Sequence, residues 1–311
     1  MLLSDAAAYH QEALAGLRRA QTTRERYAHI EGQFVAYLRQ DLGRAPTVAD
    51  LTVHTVRGFL AHHEDRLGAA TLNLYATILK AWSKLLAEEW PEEFPKGDPL
   101  ARLRLRKSSS PRIEIFSSEQ WERMLAVAKG TAQALRDHAL LLFMIETGAR
   151  LSELCELTIP HLELLGANRY GRARILGKGQ KVRYVYFGGK CSKALHMYLH
   201  RGRASSRDPH VFLGRTGRGI CPDTIQKLFN KLGTAAGVYG VRCSPHTVRH
   251  THAVWYLRAN PGQIEQLRQL MGHADLKTVL IYARLAESDI AAAYESLMDT
   301  WPMKRRQEGS R

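Results

Sequence analysis

The segment from Ser244 to Tyr282 constrains the fold of this chain more than any other stretch. Ser244 followed by Pro245 predicts the start of a helix, because a serine hydroxyl caps the first turn and proline is tolerated at the first helical position. His246 and Arg249 then lie one turn apart on the same face. Unpaired N–H groups and the positive end of the helix dipole favour an anion there. The segment therefore predicts a rigid helix start that presents a histidine and an arginine to an anionic group.

Two further helices complete this segment. Asn260 and Pro261 end the first helix, and an apolar stripe at helical spacing predicts a second one, which Gly272 terminates just before His273. Asp275 can cap a third, short helix that carries Tyr282. The stripe consists of Ile264, Leu267, Leu270 and Met271.

An arginine follows a sharp turn near the middle of the chain. A nearly continuous apolar run over 135–145 predicts a buried helix that leads to Gly148. Arg150 then begins the next helix, with Glu153 three residues further on. An arginine in this place is typical of a surface ion pair, but it also suits a guanidinium fork held in place for a phosphate. The residues alone leave both interpretations open.

Two short runs at 173–176 and 182–187 flank a glycine-rich turn and predict a β-hairpin. The turn contains Lys178 and Lys181. It does not match the phosphate-binding loop of nucleotide hydrolases, because Gly179 stands where serine or threonine would hold magnesium. Lysines at hairpin tips are most often simply exposed, so the turn by itself assigns no chemistry.

The charge of the chain favours a polyanionic partner. The formal net charge is +15 and the isoelectric point is about 9.8, which points to nucleic acid, although charge alone leaves open a basic protein without such a partner. The four cysteines are scattered and form no CxxC pair, which argues against a zinc ribbon or a disulfide scaffold and fits a reducing cytoplasm. The sequence predicts neither a signal peptide nor a membrane span.

The periodicity of the chain divides it into two predicted domains. Residues 1–100 read as a small helical domain whose aromatic stripe is core, although 1–20 form a short helix with little to pack. The periodicity is lost over 91–111. We interpret 101–113 as a basic linker and 114–311 as the second domain. The linker is either a cationic strap along phosphates or a solvated tether. Its basic residues include Arg102, Arg104, Arg106 and Lys107.

The histidines allow a competing metal-site hypothesis. His246 and His250 have the spacing of zinc ligands on a helix, and His252 and His273 are further candidates. No carboxylate joins them as in an HExxH motif, and Arg249 lies between the first two on nearly the same face. A guanidinium disfavours a cation and favours a phosphate. We therefore predict no metal site and interpret His250 and His252 as structural or supporting residues.

Three motifs, in this order, resemble those of the tyrosine recombinases, the phage integrase family. They are TGARLSELCEL at 147–157, PHTVRHTHA at 245–253 and LMGHADLKTVLIY at 270–282. The resemblance extends over most of the chain. It implies a mainly α-helical fold with a small β-hairpin or sheet. An N-terminal helical core-binding (SAM-like) domain would clamp DNA, and a C-terminal tyrosine-recombinase domain would be catalytic.

The resemblance also implies a set of catalytic residues. A tyrosine attacks the phosphate, arginines and histidines hold it, and a lysine of the hairpin protonates the leaving oxygen. The matching residues are Arg150, Lys178, His246, Arg249, His273 and Tyr282, with Glu153 orienting them. Lys181 is the alternative to Lys178, because the interval that follows Arg150 is longer than usual. Lys181 and the basic linker residues are also predicted contacts to DNA.

The function that the resemblance implies is site-specific DNA recombination or integration, as in mobile elements. Cleavage would pass through a 3′-phosphotyrosyl link and a Holliday junction, without metal, ATP or another cofactor. The implied partners are double-stranded DNA and further copies of the chain in a tetramer, in the cytoplasm at the nucleoid. The sequence assigns no membrane partner and identifies no accessory DNA-bending protein. The alternatives are a type IB topoisomerase-like enzyme and a non-catalytic DNA-binding protein with the same fold.

Overall fold

The computed structural model describes residues 1–106, 113–165, 169–177, 182–272 and 279–286. The chain forms two compact units, Met1–Pro111 and Arg112–Arg311. Each unit buries apolar side chains of its own. The predicted limits of the two domains and the linker stay a prediction.

Four helices build the first unit. They are α1 (Leu3–Gly16), α2 (Gln21–Leu42), α3 (Val53–His62) and α4 (Ala69–Glu89). The hydroxyl of Thr52 caps α3 by accepting a hydrogen bond of 3.2 Å from the backbone N–H of Thr55. Trp82 of α4 is fully buried, and its indole N–H donates to the carbonyl of Ala6 over 3.3 Å. The prediction that the aromatic stripe is core is confirmed.

The prediction that α1 has little to pack is wrong. Leu3, Ala6 and Leu14 are buried, and so is His10, whose Nδ1 lies 2.7 Å from Oε1 of the buried Glu31. A polar pair inside the core gives α1 a fixed position on α2. The sequence pattern missed it because a histidine on an apolar face does not show which carboxylate faces it.

The described part of the predicted linker lies against the first unit. Leu103 is buried in the core of that unit. The backbone N–H of Arg106 donates to Oδ1 of Asn73 over 2.9 Å, and the side-chain amide of Asn73 donates back to the carbonyl of Arg106 over 2.9 Å. The guanidinium of Arg106 pairs with the carboxylate of Glu64. Residues 101–106 are therefore bound to the helices and are not a free tether.

The second unit combines helices with a small sheet. Its elements are α5 (Ser118–Ala128), α6 (Ala134–Thr147), α7 (Leu151–Cys155), β1 (Leu162–Leu164), β2 (Gly171–Leu176), β3 (Val182–Phe187), α8 (Gly189–Met197), α9 (Pro222–Ala235), α10 (Pro245–Ala259) and α11 (Ile264–Met271). Residues 279–286 are also helical. The strands are antiparallel in the order β1-β2-β3. The prediction of a mainly α-helical fold with a small sheet is confirmed.

The hairpin of β2 and β3 is positioned by alternation of its side chains. Ile175 pairs with Arg183, and Ala173 pairs with Val185. The inward side chains of β2 and β3 pack on α6 and its neighbours, whereas the alternate residues Arg174, Tyr184 and others face outward. Alternation therefore places Arg183 on the inner side of the sheet, together with Val185.

The helix signals at Ser244, Gly148 and Gly272 are confirmed, whereas Asp275, the predicted cap of the third helix, lies outside the described residues. The hydroxyl of Ser244 accepts a hydrogen bond of 3.2 Å from the backbone N–H of Thr247 at the start of α10. Gly148 ends α6 and Gly272 ends α11, with φ angles of 59° and 61° that glycine adopts without strain. None of the helices in the described ranges is long and apolar enough to cross a membrane.

Candidate active site

Arg150 is held at the start of α7 by Glu153. Its backbone N–H donates to Oε2 of Glu153 over 2.7 Å, and its Nη1 donates to Oε1 over 2.9 Å. The carboxylate thus caps the helix and fixes the guanidinium at the same time. Nη2 of Arg150 donates to the carbonyl of Gly272 at the end of α11, over 3.0 Å. Arg150 is therefore an oriented arginine and not a freely rotating surface charge.

The turn before Arg150 depends on close contact with α10. A Cβ added to Gly148 would overlap the imidazole of His252. The Nδ1 of His252 lies 2.8 Å from the carbonyl of Ile145, and in the part of the chain that the structure describes its Nε2 has no hydrogen-bond partner. Burial lowers the pKa of His252 to about 4, so the ring is neutral. His252 shapes the turn that presents Arg150.

Arg249 lies deeper than Arg150 and contacts the same two turns. It is buried on α10, where its Nη1 donates to the carbonyl of Gly148 and its Nη2 to the carbonyl of Met271, the latter over 2.8 Å. Burial, followed by the nearby positive charge of Arg150, lowers its pKa to about 10. The guanidinium stays charged at neutral pH, which makes this a fixed cationic site.

A third arginine, Arg183, enters the site from β3. Its Nη1 and Nη2 donate to the two oxygens of Glu153 over 2.6 and 2.8 Å, and its Nε donates to the carbonyl of Leu270 over 3.0 Å. We did not predict this residue. The signal that could have found it is the alternation of β3, which places an arginine among inward apolar residues, where it needs a buried acid.

Glu153 joins the two arginines Arg150 and Arg183. It is 3% exposed. Burial by itself would raise the pKa of this carboxyl, but the hydrogen bonds from Arg183 and Arg150 outweigh burial and lower the pKa below its ordinary value. Glu153 is therefore ionised, and one negative charge is shared between two guanidinium groups.

Tyr282 lies near Arg249 and in contact with His250 of α10. Its hydroxyl and Nδ1 of His250 share a hydrogen bond of 2.8 Å, and only 2% of the tyrosine is exposed. Burial raises the pKa of Tyr282, while the charge of Arg249 acts in the opposite direction. The rings of His246 and His250 lie 4.2 Å apart, centroid to centroid.

His250, which contacts Tyr282, and its neighbour His246 are neutral at neutral pH. Burial lowers the pKa of His250 to about 4, with contributions from His246 and Arg249. Burial also lowers the pKa of His246, and the charges of Arg249 and Arg242 lower it further. A neutral imidazole can accept a proton, which is the role predicted for His246.

The structure brings together five of the predicted site residues and leaves others outside the part it describes. Those brought together are Arg150, Glu153, His246, Arg249 and Tyr282. Those outside the described residues are Lys107, Lys178, Lys181 and His273. Arg102, Arg104 and Arg106 belong to the first unit. Among the described residues, no three His, Cys, Asp or Glu side chains are grouped as they would be to hold a metal ion.

The arrangement can bind and stabilise an anion next to a tyrosine hydroxyl. Three guanidinium groups and one carboxylate leave an excess of positive charge, fixed by hydrogen bonds to the protein. Such fixed charges stabilise an anionic transition state without reorganising during the reaction.

Comparison with known sequences identifies the family of this site. The sequence profile of the phage integrase family matches residues 114–289, which is more than half of the chain. Tyrosine recombinase XerC of Lactobacillus leichmannii is 29% identical over 265 residues, which cover 82% of this chain and 85% of that protein. XerC of Actinobacillus pleuropneumoniae serotype 7 (strain AP76) is 30% identical over 244 residues, which cover 78% of this chain and 77% of that protein.

Solved structures share the fold. XerH recombinase bound to a palindromic difH substrate, in a post-cleavage complex, superposes with a TM-score of 0.72 at 18% identity and covers 89% of this chain and 80% of that one. A lambda integrase tetramer bound to a Holliday junction superposes with a TM-score of 0.67 at 17% identity, covering 88% of this chain and 78% of that one. The chain therefore belongs to the phage integrase family and is a tyrosine recombinase, an enzyme that breaks and rejoins DNA strands.

Proposed function

We propose that this enzyme is a site-specific recombinase of double-stranded DNA and that Tyr282 is its nucleophile. The observation that carries the proposal is the placement of Tyr282 beside Arg249, which is itself fixed next to Arg150. A tyrosine hydroxyl, a fixed pair of guanidinium groups and neutral histidines are the groups that metal-independent phosphodiester cleavage needs.

The proposed reaction begins with attack on phosphorus. The oxygen of Tyr282 forms a bond to the phosphorus of the scissile phosphate, and the bond from phosphorus to the 5′ oxygen breaks. His246 takes up the tyrosine proton, and Lys178 gives a proton to the departing oxygen. Arg150 and Arg249 stabilise the charge on the non-bridging oxygens, to one of which His273 donates a hydrogen bond.

Rejoining is the reverse reaction with a different strand. The 3′-phosphotyrosyl link keeps the energy of the phosphodiester, so a free 5′ hydroxyl can displace Tyr282 without ATP. No step requires a metal ion, because guanidinium groups supply the positive charge. Exchange of strands in this way produces a Holliday junction, and we propose four copies of the chain around it. The lambda integrase tetramer on a Holliday junction, which shares the fold, supports this assembly.

We propose that Tyr282 moves before it attacks. Its hydroxyl is buried and bonded to His250. We propose that the helical residues 279–286 are displaced when DNA binds. We also propose that the enzyme acts at the nucleoid. The predicted phosphate contacts of Arg102, Arg104, Lys107 and Lys181 would hold the duplex, while Arg106, paired with Glu64, contributes less.

The test is covalent trapping on DNA. Fragments of genomic DNA are incubated with the wild-type enzyme in buffer containing EDTA and are then denatured. The DNA that remains linked to protein is isolated and sequenced, with Tyr282→Phe as the control. Enrichment of one site by wild type alone supports the proposal. A nicked oligonucleotide of that site then gives a rate of adduct formation, and a plasmid with two copies distinguishes exchange from relaxation. Absence of any adduct, or relaxation without exchange, would contradict the proposal.

A further inference from the structure

The end of α11 is bound by three arginines from three different elements. A helix leaves its last carbonyls without partners inside the helix, at the negative end of its dipole, where cations are favoured. Here three consecutive carbonyls each accept from a different guanidinium. Leu270 accepts from Arg183 over 3.0 Å, Met271 from Arg249 over 2.8 Å, and Gly272 from Arg150 over 3.0 Å.

Two of these arginines are proposed to contact DNA, but Arg183 is committed to the protein. Each of its three guanidinium nitrogens donates to a protein oxygen, two on Glu153 and one on Leu270. Its side chain is 13% exposed. A residue placed in this way acts on the reaction through its neighbours.

The charge that Arg183 supplies leaves Arg150 able to act on a phosphate. Oε1 of Glu153 accepts from both arginines, over 2.6 Å from Arg183 and 2.9 Å from Arg150. A buried carboxylate must be paired with positive charge. Without Arg183, Glu153 would turn fully to Arg150, and the two would neutralise each other. With Arg183 present, the carboxylate is neutralised and a net positive charge remains.

Arg183 also defines the turn that follows α11. A Cβ added to Gly272 would lie 2.9 Å from Nη1 of Arg183, and the φ of Gly272 is +61°. The guanidinium therefore packs directly on the backbone at this glycine. Arg183 therefore contacts the backbone at Gly272, the last described residue before the predicted His273.

We propose that Arg183 is a positioning residue for strand cleavage. It orients Glu153, keeps the charge of Arg150 available for the non-bridging oxygens, and fixes the end of α11. The inference rests on the proposed function, since it assumes that a phosphate occupies the site. Lysine can replace Arg183 only in part, because an ammonium is a point charge without the planar fork that binds both oxygens of a carboxylate.

The test compares Arg183→Ala and Arg183→Lys with wild type. The matched control is Arg174→Ala, which removes the same charge from the outward face of the same sheet, where Arg174 contacts His161 over 3.1 Å. The single-turnover rate of adduct formation is measured at saturating concentrations of the nicked DNA, beside DNA affinity and thermal unfolding. We expect Arg183→Ala to slow cleavage about 10- to 100-fold, by analogy with residues that orient the ligands of a metal ion. Its DNA affinity should match that of Arg174→Ala, and Arg183→Lys should be intermediate in rate.

A second substrate separates positioning from general damage. Replacing one non-bridging oxygen of the scissile phosphate by a methyl group removes the negative charge that Arg150 is proposed to stabilise. The slowing caused by Arg183→Ala should therefore shrink on this neutral substrate. Equal slowing on both substrates would overturn the proposal, and so would a cleavage rate of Arg183→Lys equal to that of wild type.

The outcomes also distinguish this inference from the proposed function. If wild type forms no adduct with any DNA, the proposed function fails. If wild type forms the adduct and Arg183→Ala forms it as fast as Arg174→Ala does, only the role of Arg183 is wrong. Should Arg183→Ala unfold, the comparison of substrates is made on Arg183→Lys, and the same criterion applies.

Discussion

The hydroxyl of Tyr282 lies 2.8 Å from Nδ1 of His250, inside the protein. This hydrogen bond keeps the proposed nucleophile away from solvent and next to a neutral base. It also links the helical residues 279–286 to α10, where Arg249 and His246 lie. The chemistry that we propose requires this bond to break when DNA is bound.

Tyr282→Phe should abolish covalent attachment to DNA, because phenylalanine has no oxygen to attack phosphorus. The fold should persist, with a loss of about 1 kcal/mol in the free energy of unfolding for the missing hydrogen bond. Affinity for DNA should be unchanged. Denaturing gels of a nicked substrate and mass spectrometry of the DNA-linked peptide check this. An adduct formed by the variant, or a linked peptide that carries another tyrosine, would refute the assignment.

Stability should fall as the pH decreases from 6.5 toward 4. Burial lowers the pKa of His252 from 6.5 to about 4 in the folded protein. As the pH decreases, this histidine is therefore protonated at a higher pH in the unfolded chain than in the folded protein. The stability that neutral His252 contributes is complete above pH 6.5 and is lost as the pH falls from 6.5 through the folded pKa of about 4. For His252 the loss is on the order of 3 kcal/mol. Denaturant titrations at several pH values measure it, and His252→Gln should show a weaker dependence. An equal dependence in that variant would contradict the prediction.

Gly148→Ala should displace the turn that carries Arg150. The added Cβ overlaps the ring of His252, and the φ of +59° strains any residue other than glycine by about 1–3 kcal/mol. The matched control is Gly43→Ala, where φ is +65° and no described atom lies within 4 Å of the added Cβ. Both variants should lose stability, but only Gly148→Ala should lose cleavage. Equal cleavage rates in the two variants would show that contact with His252 does not matter.

Affinity for duplex DNA should depend steeply on salt, as expected for a chain with a net charge of +15. Arg104→Ala should reduce the slope of log affinity against log salt by about one, the value for one lost phosphate contact. Arg106→Ala should reduce it less, because Glu64 already compensates that charge. Binding measured by fluorescence anisotropy at several salt concentrations tests the difference. A larger effect of Arg106→Ala would mean that its ion pair opens on DNA.

Lys178→Ala should slow cleavage far more than it weakens DNA binding if Lys178 protonates the leaving oxygen. A substrate with sulfur at the 5′ bridging position needs no such acid and should restore the rate. Arg150→Ala and Arg249→Ala should not be restored in this way, because they act on other oxygens. Rescue of Lys181→Ala in place of Lys178→Ala would transfer the role to Lys181.

Local signals were sufficient for much of the fold and for part of the candidate site. Ser244, Gly148 and Gly272 determine where helices begin or end through bonds and backbone angles within a few residues of themselves, so the sequence reveals them. The assignment of Arg150 and Arg249 came instead from the resemblance of the ordered motifs to a known family.

Contacts between distant parts of the chain could not be predicted. Arg183 matters because it meets Leu270, 87 residues away, and His250 because it meets Tyr282, 32 residues away. The burial of α1 depends on Glu31, which the pattern of α1 does not contain. Such pairings follow from how helices and strands pack, and no local spacing encodes them.

The three carbonyls at the end of α11 hold the arginines in place before a phosphate of DNA binds. Guanidinium groups repel one another, and gathering them around an empty cleft is unfavourable. In this protein the repulsion is offset during folding by the dipole of a helix end and by one carboxylate. An arriving phosphate therefore meets cations that are already assembled, and part of the repulsion between them is already offset by the protein. Little of the free energy of phosphate binding is then needed to bring the arginines together.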